Sequence, residues 1–426
     1  MQQLYAPHRS KALLDKSTEV GEGNGLQFAS SAMQGWRQSM EDECVVLPRI
    51  DRLPGHSLVA VFDGHGGAAT AQVAARILVP TLLAQPEIEQ YAGCAAADPH
   101  LLEAALKAGL LAMDAALPAM LLGEHGDKSS GSTATVVLIT PTHCVCASVG
   151  DSRAVLCRPT SVTALSHDHK PSDGPEAARI AAAGGLVAFG RVGGNLAMSR
   201  ALGDFEFKRN SALPAERQMV TAEPTIVTAV RDHCAGEYII VACDGLWDTS
   251  SNTDCCCRLR ELIKEGSDEW FSKDAGSRAE VLGMVAEELL DESFDRGSTD
   301  NSSAVLVALP AANGVPQSPP MLGRSPLRER RQARLVARHE KVARENAEEL
   351  KARQSVREEL RTRCESAREA LACAQVESTP AGGGIAGIAA IVHSQSEGHV
   401  HLFMPTAEVT SSEHTHESDG GGWADL

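Results

Sequence analysis

Residues 57–67 read SLVAVFDGHGG, an almost entirely apolar run that ends at an aspartate and a glycine-rich turn. The same arrangement recurs over residues 238–245, which read YIIVACDG. Apolar runs of this length, rich in β-branched residues and bounded by turn residues, are typical of strands buried on both faces. The sequence therefore predicts a core of buried β-strands, with an aspartate directly after each of these two strands.

Other apolar runs predict further strands at residues 133–140, 144–149 and 303–309. Apolar residues at helical spacing predict helices at residues 68–83, 101–122, 176–183 and 281–290. Several strands are separated only by a turn, which favours antiparallel pairing over a parallel sheet with crossover helices. The predicted fold class is therefore α+β, built on antiparallel sheets.

Four aspartates are predicted to meet at one rim of these sheets. Asp63 and Asp244 follow their strands, Asp151 follows the strand at residues 144–149, and Asp300 precedes the last strand. Carboxylates that converge in this way repel each other unless a proton or a cation lies between them. Oxygen ligands without cysteine or histidine suit Mg²⁺ or Mn²⁺ rather than zinc. The alternative is that each Asp-Gly pair is an ordinary turn.

A second group of charged residues lies upstream in MQGWRQSMED, residues 33–42. It places Arg37 near two more carboxylates, Glu41 and Asp42. A guanidinium binds phosphate through two parallel hydrogen bonds, and a cluster of cations attracts the same anion. The alternative is a surface ion pair between Arg37 and Glu41.

Composition excludes several classes of function. The formal net charge of −17 disfavours binding to the phosphate backbone of nucleic acids. We find no signal-peptide pattern and no apolar run long enough to span a membrane, and Gln2 replaces the glycine that myristoylation requires. The 12 cysteines show no metal-ligand spacing, and we expect reduced thiols in a cytoplasmic or also nuclear protein, with Cys255–Cys257 on a buried helix.

Eight segments are similar, in order and spacing, to the metal-dependent Ser/Thr protein phosphatases of the protein phosphatase 2C family. They are MQGWRQSMED, VFDGHGG, SGSTA, GDSRAVL, LSHDHKP, GGNLAMSRALGD, ACDGLWD and STDNSSAVLV. The resemblance covers residues 23–310 and implies a four-layer αββα sandwich, in which helices flank two antiparallel sheets. It also implies two Mg²⁺ or Mn²⁺ ions per active site.

The resemblance also implies roles for the metal-site residues. Asp63 resembles the carboxylate that bridges the two metals, and Gly64 resembles the residue whose backbone carbonyl binds one of them. Asp244 and Asp300 resemble ligands of the other metal. Glu41 and Asp42 resemble the acids that hold metal-bound water.

The remaining roles concern catalysis and a further metal. Arg37 resembles the phosphate-binding arginine, and His65 resembles the general acid, whereas His167 and His169 are expected to shape their loop. Asp151 and Asp248 match the acids that bind a weaker third metal in some members.

The implied activity is hydrolysis of phosphoserine and phosphothreonine in proteins. A hydroxide activated by two metals attacks phosphorus directly, without a phosphoenzyme, and the leaving alkoxide takes a proton from His65. The alternatives are a catalytically inactive phosphoprotein-binding module on the same fold and a hydrolase of another phosphoester. We expect a monomer without a membrane anchor.

The sequence further predicts five segments. Residues 1–22 form an N-terminal arm, residues 23–310 the catalytic domain and residues 311–326 a Pro/Gly/Ser-rich linker. Residues 327–375 form one charged, solvated helix, for which a dimeric coiled coil is the alternative, and residues 376–426 form an acidic, disordered tail. The helix and tail are expected to be available for binding a protein partner.

Overall fold

The computed structural model describes residues 12–94, 98–124, 129–233, 236–266, 275–309 and 326–376. The strands are β1 (Leu13–Gly23), β2 (Leu26–Gly35), β3 (Glu43–Leu47), β4 (Ser57–Phe62), β5 (Gly64–His65), β6 (Gly131–Ser132), β7 (Ala134–Ile139), β8 (His143–Val149), β9 (Arg153–Cys157), β10 (Val162–Ala164), β11 (Val187–Ala188), β12 (Arg191–Val192), β13 (Leu202–Gly203), β14 (Thr225–Val230), β15 (Glu237–Ala242) and β16 (Ser302–Leu309). The helices are α1 (Ala69–Leu83), α2 (Pro86–Gly93), α3 (Pro99–Glu124), α4 (Gly174–Ala182), α5 (Asp244–Trp247), α6 (Asn252–Glu265), α7 (Ala275–Asp295) and α8 (Pro326–Val376).

Two antiparallel sheets form the centre of the fold. One has the strand order β1-β2-β16-β15-β9-β10, and the other has the order β14-β8-β7-β4-β3. Every pair of neighbouring strands in both sheets is antiparallel, as predicted from the short turns between strands. Within the described residues, neither sheet contains parallel strands joined by a crossover helix.

The strand β4 shows why its sequence is apolar at nearly every position. Val59 and Val61 point towards the other sheet, where they pack in a cluster with Phe28 and Ile239. Leu58 and the other alternate residues of the strand pack against helices on the opposite face. Because successive side chains alternate between two buried faces, the strand needs apolar residues on both.

Helices cover the outer face of each sheet. Buried residues of α1, α2 and α3 pack against the five-stranded sheet, whereas α5, α6 and α7 pack against the six-stranded sheet. The fold is therefore the four-layer αββα sandwich that the sequence indicated. Contrary to our expectation, residues Pro99–Leu121 of α3 are long and apolar enough to span a membrane by composition, but Leu102, Leu106 and Leu110 lie in the core.

The prediction of an N-terminal arm over residues 1–22 is wrong for its second half, which forms a strand. Leu13–Gly23 forms β1, which pairs with β2 along most of its length and forms an edge of the six-stranded sheet. Its side chains alternate between half-buried and exposed, a pattern of period two that its polar composition conceals. Residues 1–11, and almost all of the predicted linker and acidic tail, lie outside the described residues.

The expectation that all cysteines are reduced is also wrong for one pair. A disulfide joins Cys157 at the end of β9 to Cys256 on α6, with their Cα atoms 5.7 Å apart. The two residues are 99 positions apart in sequence, and only the packing of α6 against the sheet brings them together. Cys255 is buried on α6 as predicted, but Cys257 is exposed.

The helix α8 has the predicted bounds within one residue, but its first turns are not solvated. Leu327 is fully buried in the core cluster that α6 and α7 form against the six-stranded sheet. Three arginines of α8 pair with acids on α7: Arg331 with Glu287, Arg334 with Glu288 and Arg338 with Asp291. Residues up to Ala343 accordingly belong to the same compact unit as the sheets, whereas Arg344 begins a second unit.

We predict that Leu327→Ala lowers the free energy of unfolding by about 2–5 kcal/mol, because it leaves a cavity in the core. The control is Leu335→Ala on the same helix, where the side chain is 42% exposed, and there the change should stay within about 0.5 kcal/mol. Urea unfolding of the full chain measures both values. Equally small losses would show that the catalytic unit ends near Pro310.

Candidate metal centre

The ends of strands from both sheets carry the predicted aspartates. Asp244 follows β15 and Asp300 precedes β16, and these two strands are paired, with Ala242 opposite Ala304. Asp63 follows β4 in the facing sheet. The charges of Asp42, Asp244, Asp151 and Asp300 all act on Asp63, so the two sheets bring the predicted acids together at one rim.

Asp63 and Asp244 are half-buried and surrounded by many like charges. Burial, followed by repulsion from Asp42 and the other acids, raises the pKa of Asp63 well above its usual range. Burial and the charges of Asp151 and Asp300 raise the pKa of Asp244 to about 7. Both shifts disfavour the ionised carboxylates, as expected where the compensating charge must come from a bound cation.

Asp42 provides further evidence that the cluster suits a cation. Its side chain is buried, and its Oδ2 has no hydrogen-bond partner among the described residues. Burial raises its pKa to about 6. One ligand atom each of Asp42, Asp63 and Cys243 lie within 4.8 Å of one another. A buried carboxylate oxygen without a donor is costly, and a hard cation would satisfy it.

Cys243 does not turn this cluster into a thiolate site. Its sulfur accepts a hydrogen bond from the backbone N–H of Ser303 at 3.1 Å. Burial, and then the charges of Asp42 and Asp63, raise the pKa of its thiol well above the usual range. The thiol also donates a hydrogen bond to the backbone carbonyl of Asn301 at 3.5 Å, so backbone groups engage the sulfur, and the remaining predicted ligands at this rim offer oxygen atoms. Such a donor set fits Mg²⁺ or Mn²⁺.

The backbone at Glu41 lies so close to residue 64 that residue 64 must be a glycine. A Cβ atom on Gly64 would lie 2.4 Å from the backbone carbonyl oxygen of Glu41. The Glu41 side chain is held by the Ser39 hydroxyl at 2.6 Å and by the Gly67 backbone N–H at 3.0 Å. These contacts fix the loop that carries Glu41 and Asp42 against the end of β4.

Asn301 was not identified from the sequence, although it connects the two acidic segments. Its amide donates hydrogen bonds to the carbonyl oxygens of Gln34 at 2.8 Å and Ser39 at 3.0 Å. Its Oδ1 accepts one from the backbone N–H of Glu41 at 2.9 Å. Asn301 thus ties residues 34–41 to the start of β16. Its position directly after Asp300 was the available signal.

Arg37 lies at the exposed side of the rim, where 59% of its side chain is accessible. Its guanidinium pairs with Asp300, not with Glu41 as the alternative reading of the sequence proposed. The arginine is therefore held next to the acidic cluster while more than half of its side chain is exposed to solvent. This position suits recognition of an anion at the cluster.

His65 follows Gly64 on β5, and 26% of its side chain is exposed. Its Nε2 lies 2.8 Å from Oδ2 of Asp204, and its Nδ1 has no partner among the described residues. His169 is buried, with Nε2 2.8 Å from the hydroxyl of Thr225, and burial lowers its pKa to about 4. These contacts agree with a structural role for His169.

Asp151 and Asp248, the residues expected at a third metal, lie beside the main cluster. Oδ2 of Asp151 accepts a hydrogen bond from the ammonium group of Lys170, and its buried Oδ1 has no partner among the described residues. Burial raises the pKa of Asp248, whereas the nearby Lys170 opposes this shift. A fixed positive charge therefore already balances part of this site.

The chain is similar in sequence to known protein phosphatases. The family model described as Protein phosphatase 2C matches residues 26–302, which include all the acids described above. Protein phosphatase 1A of Homo sapiens is 35% identical over 306 residues, covering 72% of this chain and 76% of that protein. Protein phosphatase 2C homolog 2 of Schizosaccharomyces pombe is 44% identical over 317 residues, covering 72% and 79%.

A solved structure shows the same fold. The crystal structure of a phosphatase from a pathogenic strain of Toxoplasma gondii has a TM-score of 0.55 and 25% sequence identity. The match covers 72% of this chain and 98% of that one. The similarity therefore spans a complete solved domain.

We predict that Mn²⁺ stabilises the full chain more at pH 7.5 than at pH 5. The pKa in the folded chain is raised to about 6 for Asp42 and about 7 for Asp244. Such an aspartate begins to destabilise the folded chain when the pH rises above its pKa in the unfolded chain, and the destabilisation is complete when the pH exceeds its pKa in the folded chain. Without cations, stability should therefore increase as the pH falls from 7.5 to 5.

Thermal unfolding in chelator and in Mn²⁺ checks this prediction. At pH 7.5 a cation present at 100 times its Kd should raise Tm by about 3–5 °C. Asp63→Asn should shrink that gain, whereas Asp51→Asn, at an exposed turn, should not. A gain independent of pH, or retained in Asp63→Asn, would contradict a cation at this cluster.

Proposed function

The chain belongs to the protein phosphatase 2C family of serine/threonine protein phosphatases, and we propose that it hydrolyses phosphoserine and phosphothreonine by direct attack of water, assisted by divalent cations. The proposal rests mainly on one observation, the convergence of buried and half-buried aspartates from two facing sheets, with buried carboxylate oxygens of Asp42 and Asp151 that have no protein donor among the described residues. A phosphate dianion cannot approach such a cluster unless cations reverse its charge.

Asp63, Asp244 and Asp300 are the residues that would hold two divalent cations, with the backbone carbonyl of Gly64 as a further oxygen ligand. Glu41 and Asp42 would orient water at the same rim. When bound, Mg²⁺ or Mn²⁺ would supply Lewis-acid activation of a water and neutralise charge on the phosphate. The rigid strand ends hold the ligands in place before any substrate arrives.

Arg37 would bind the phosphate of the substrate. Its guanidinium stands beside Asp300 with most of its surface accessible, so it can exchange part of its ion pair for the two oxygens of a phosphate. The residue thereby orients the phosphorus towards the rim and keeps the peptide outside the acidic cluster.

His65 would donate a proton to the leaving oxygen. The alkoxide of serine or threonine is a poor leaving group, and protonation during bond cleavage removes that difficulty. His65 is two residues from Asp63 in sequence and 26% of its side chain is exposed, and both features support this role. His169, by contrast, is buried.

Asp151 and Asp248 would hold a weaker third cation. Such a cation would compete with the ammonium of Lys170 for Asp151, because the two carry the same sign of charge. This competition gives a physical reason for weaker binding there than at Asp63.

We predict that the chain hydrolyses a phosphothreonine peptide in Mn²⁺ and loses the activity in excess chelator. Asp63→Asn should lower kcat/KM by at least about 10²-fold, because the loss of a central charge weakens cation binding. Asp51→Asn is the matched surface control and should retain the activity.

Release of inorganic phosphate from phosphothreonine and phosphotyrosine peptides measures this activity and its specificity. Full turnover in chelator or by Asp63→Asn would contradict the assignment of the cation site. No turnover on any phosphopeptide in Mn²⁺ would instead favour a phosphoprotein-binding module.

We further predict that His65→Ala slows hydrolysis of the phosphothreonine peptide by about 10²–10⁴-fold, the usual range for general acid catalysis. Hydrolysis of p-nitrophenyl phosphate should fall far less, because an aryl oxide leaves without a proton. Initial rates on both substrates in saturating Mn²⁺ measure the difference. Equal losses would assign His65 to substrate positioning.

A further inference from the structure

We propose that Trp36 is a positioning residue for Arg37, which it holds at the rim through a stacking contact with Phe294 of α7. The two rings lie with their centroids 5.6 Å apart and their planes 19° from parallel. The inference rests on the proposed role of Arg37 in binding phosphate. The sequence did not indicate the pair, because Trp36 follows β2 whereas Phe294 lies in the last turn of α7.

Arg37 needs a support other than its own ion pair. Its side chain is 59% exposed and pairs with Asp300. An exposed ion pair holds a long side chain only weakly, because fixing both partners costs rotamer entropy and water screens their attraction. The guanidinium must also give up part of this pair when it binds phosphate. The stacking contact of the neighbouring Trp36 does not compete with phosphate, so it can persist in the bound state.

The turn that carries Trp36 is tight but exposed. Gly35 ends β2 with a φ of 66°, and a Cβ atom there would lie 2.6 Å from the backbone carbonyl oxygen of Asp300. The side-chain amide of Gln34 donates to the carbonyl oxygen of Arg37 at 3.0 Å. This hydrogen bond is exposed and contributes little, because water competes for both groups. The ring stack supplies apolar contact area instead, which stabilises the turn by excluding water.

Phe294 is a rigid platform for this stack. Its side chain is half-buried and packs against the core cluster that α6 and α7 form on the six-stranded sheet. The preceding residue, Ser293, is buried, and its hydroxyl donates to the backbone carbonyl oxygen of Gly245 at 2.5 Å. The end of α7 is therefore tied to the turn that follows β15, where Asp244 lies. One helix end thus supports both Trp36 and the acidic rim.

Steady-state kinetics of the full-length chain in saturating Mn²⁺ test this role. Trp36→Ala should raise KM for the phosphothreonine peptide by about 2–10-fold, the factor that corresponds to the loss of one aromatic stack. Because phosphate binding persists into the transition state, kcat should change by less than about twofold. The Ki of inorganic phosphate, a competitive inhibitor that probes the same contact, should rise by the same factor as KM. Trp36→Phe keeps a ring that can stack and should restore most of the affinity.

Two variants of α7 separate positioning from a general loss of stability. Phe294→Leu removes the stack from the other side and should raise KM and Ki as Trp36→Ala does, and combining the two should add little. Met284→Ala lies on the same helix, where Met284 is half-buried against the same cluster, and it should lower Tm but leave KM unchanged. The apparent Kd of Mn²⁺ should be unchanged in all three variants. A weaker affinity of Trp36→Ala for Mn²⁺, or a KM that rises equally in Met284→Ala, would overturn the proposal.

The Arg37→Ala variant distinguishes failure of this inference from failure of the proposed phosphate role. If Arg37→Ala raises KM and Ki, and Trp36→Ala adds nothing to that variant, Trp36 acts through Arg37. If Arg37→Ala raises both constants but Trp36→Ala raises neither, the phosphate role stands and the positioning role is wrong. If Arg37→Ala raises neither constant, the phosphate role fails, and the inference fails with it.

The indole N–H resonance of Trp36 measures the stack without reference to activity. In the chain labelled with ¹⁵N-tryptophan, the resonance that Trp36→Phe removes identifies this residue. Phe294→Leu should shift the resonance, because the ring current of the phenyl group is lost, whereas Met284→Ala should not. An unchanged resonance in Phe294→Leu would show that the two rings do not stack, and the proposal would then be wrong.

Discussion

Repulsion between the carboxylates at the rim is the constraint on which the rest of this structure depends. Asp42 is buried, Asp63 and Asp244 are half-buried near it, and the raised pKa values of all three express the cost of that arrangement. A flexible chain would relieve the cost by moving the acids apart. Here they stand at the ends of strands whose apolar residues are buried on both faces, so separation would require the sheets to come apart. The hydrophobic core thus maintains a charged cluster that only protons or cations can neutralise.

Much of this could be predicted from the sequence, because the relevant signals are local. A short run such as SLVAVF, bounded by turn residues, is typical of a strand buried on both faces, and an aspartate at its end marks the rim of the sheet. The glycine that follows each aspartate, Gly64 or Gly245, is also required locally, because a Cβ atom there would collide with the backbone. At Gly245 that Cβ atom would lie 1.9 Å from the carbonyl oxygen of Asn301. The αββα layering itself was inferred from the resemblance of ordered motifs, and the structure confirms it.

The features that escaped prediction all depend on contacts between distant segments. β1 has a polar sequence and becomes a strand only because β2 presents an unpaired edge to it. Cys157 and Cys256 can form a disulfide only after α6 has packed on its sheet. Asn301 and Asp204 form hydrogen bonds with residues that only the folded chain brings near. No periodicity in composition or charge encodes such pairings, since each involves a single polar side chain.

In the helix α8, charged residues that the sequence indicated to be solvated instead form contacts with the rest of the fold. Over residues 327–343 the sequence has six basic and two acidic residues, whereas residues 344–375 have seven of each. The entire positive excess therefore lies in the turns that pack on α7, where Arg331, Arg334 and Arg338 neutralise the acids that this helix presents. Acids such as Glu288 are fully buried under α8, and they would be costly to bury without these arginines. The excess charge is thus part of the domain's own packing, and the balanced remainder of the helix has no net charge with which to attract the acidic rim.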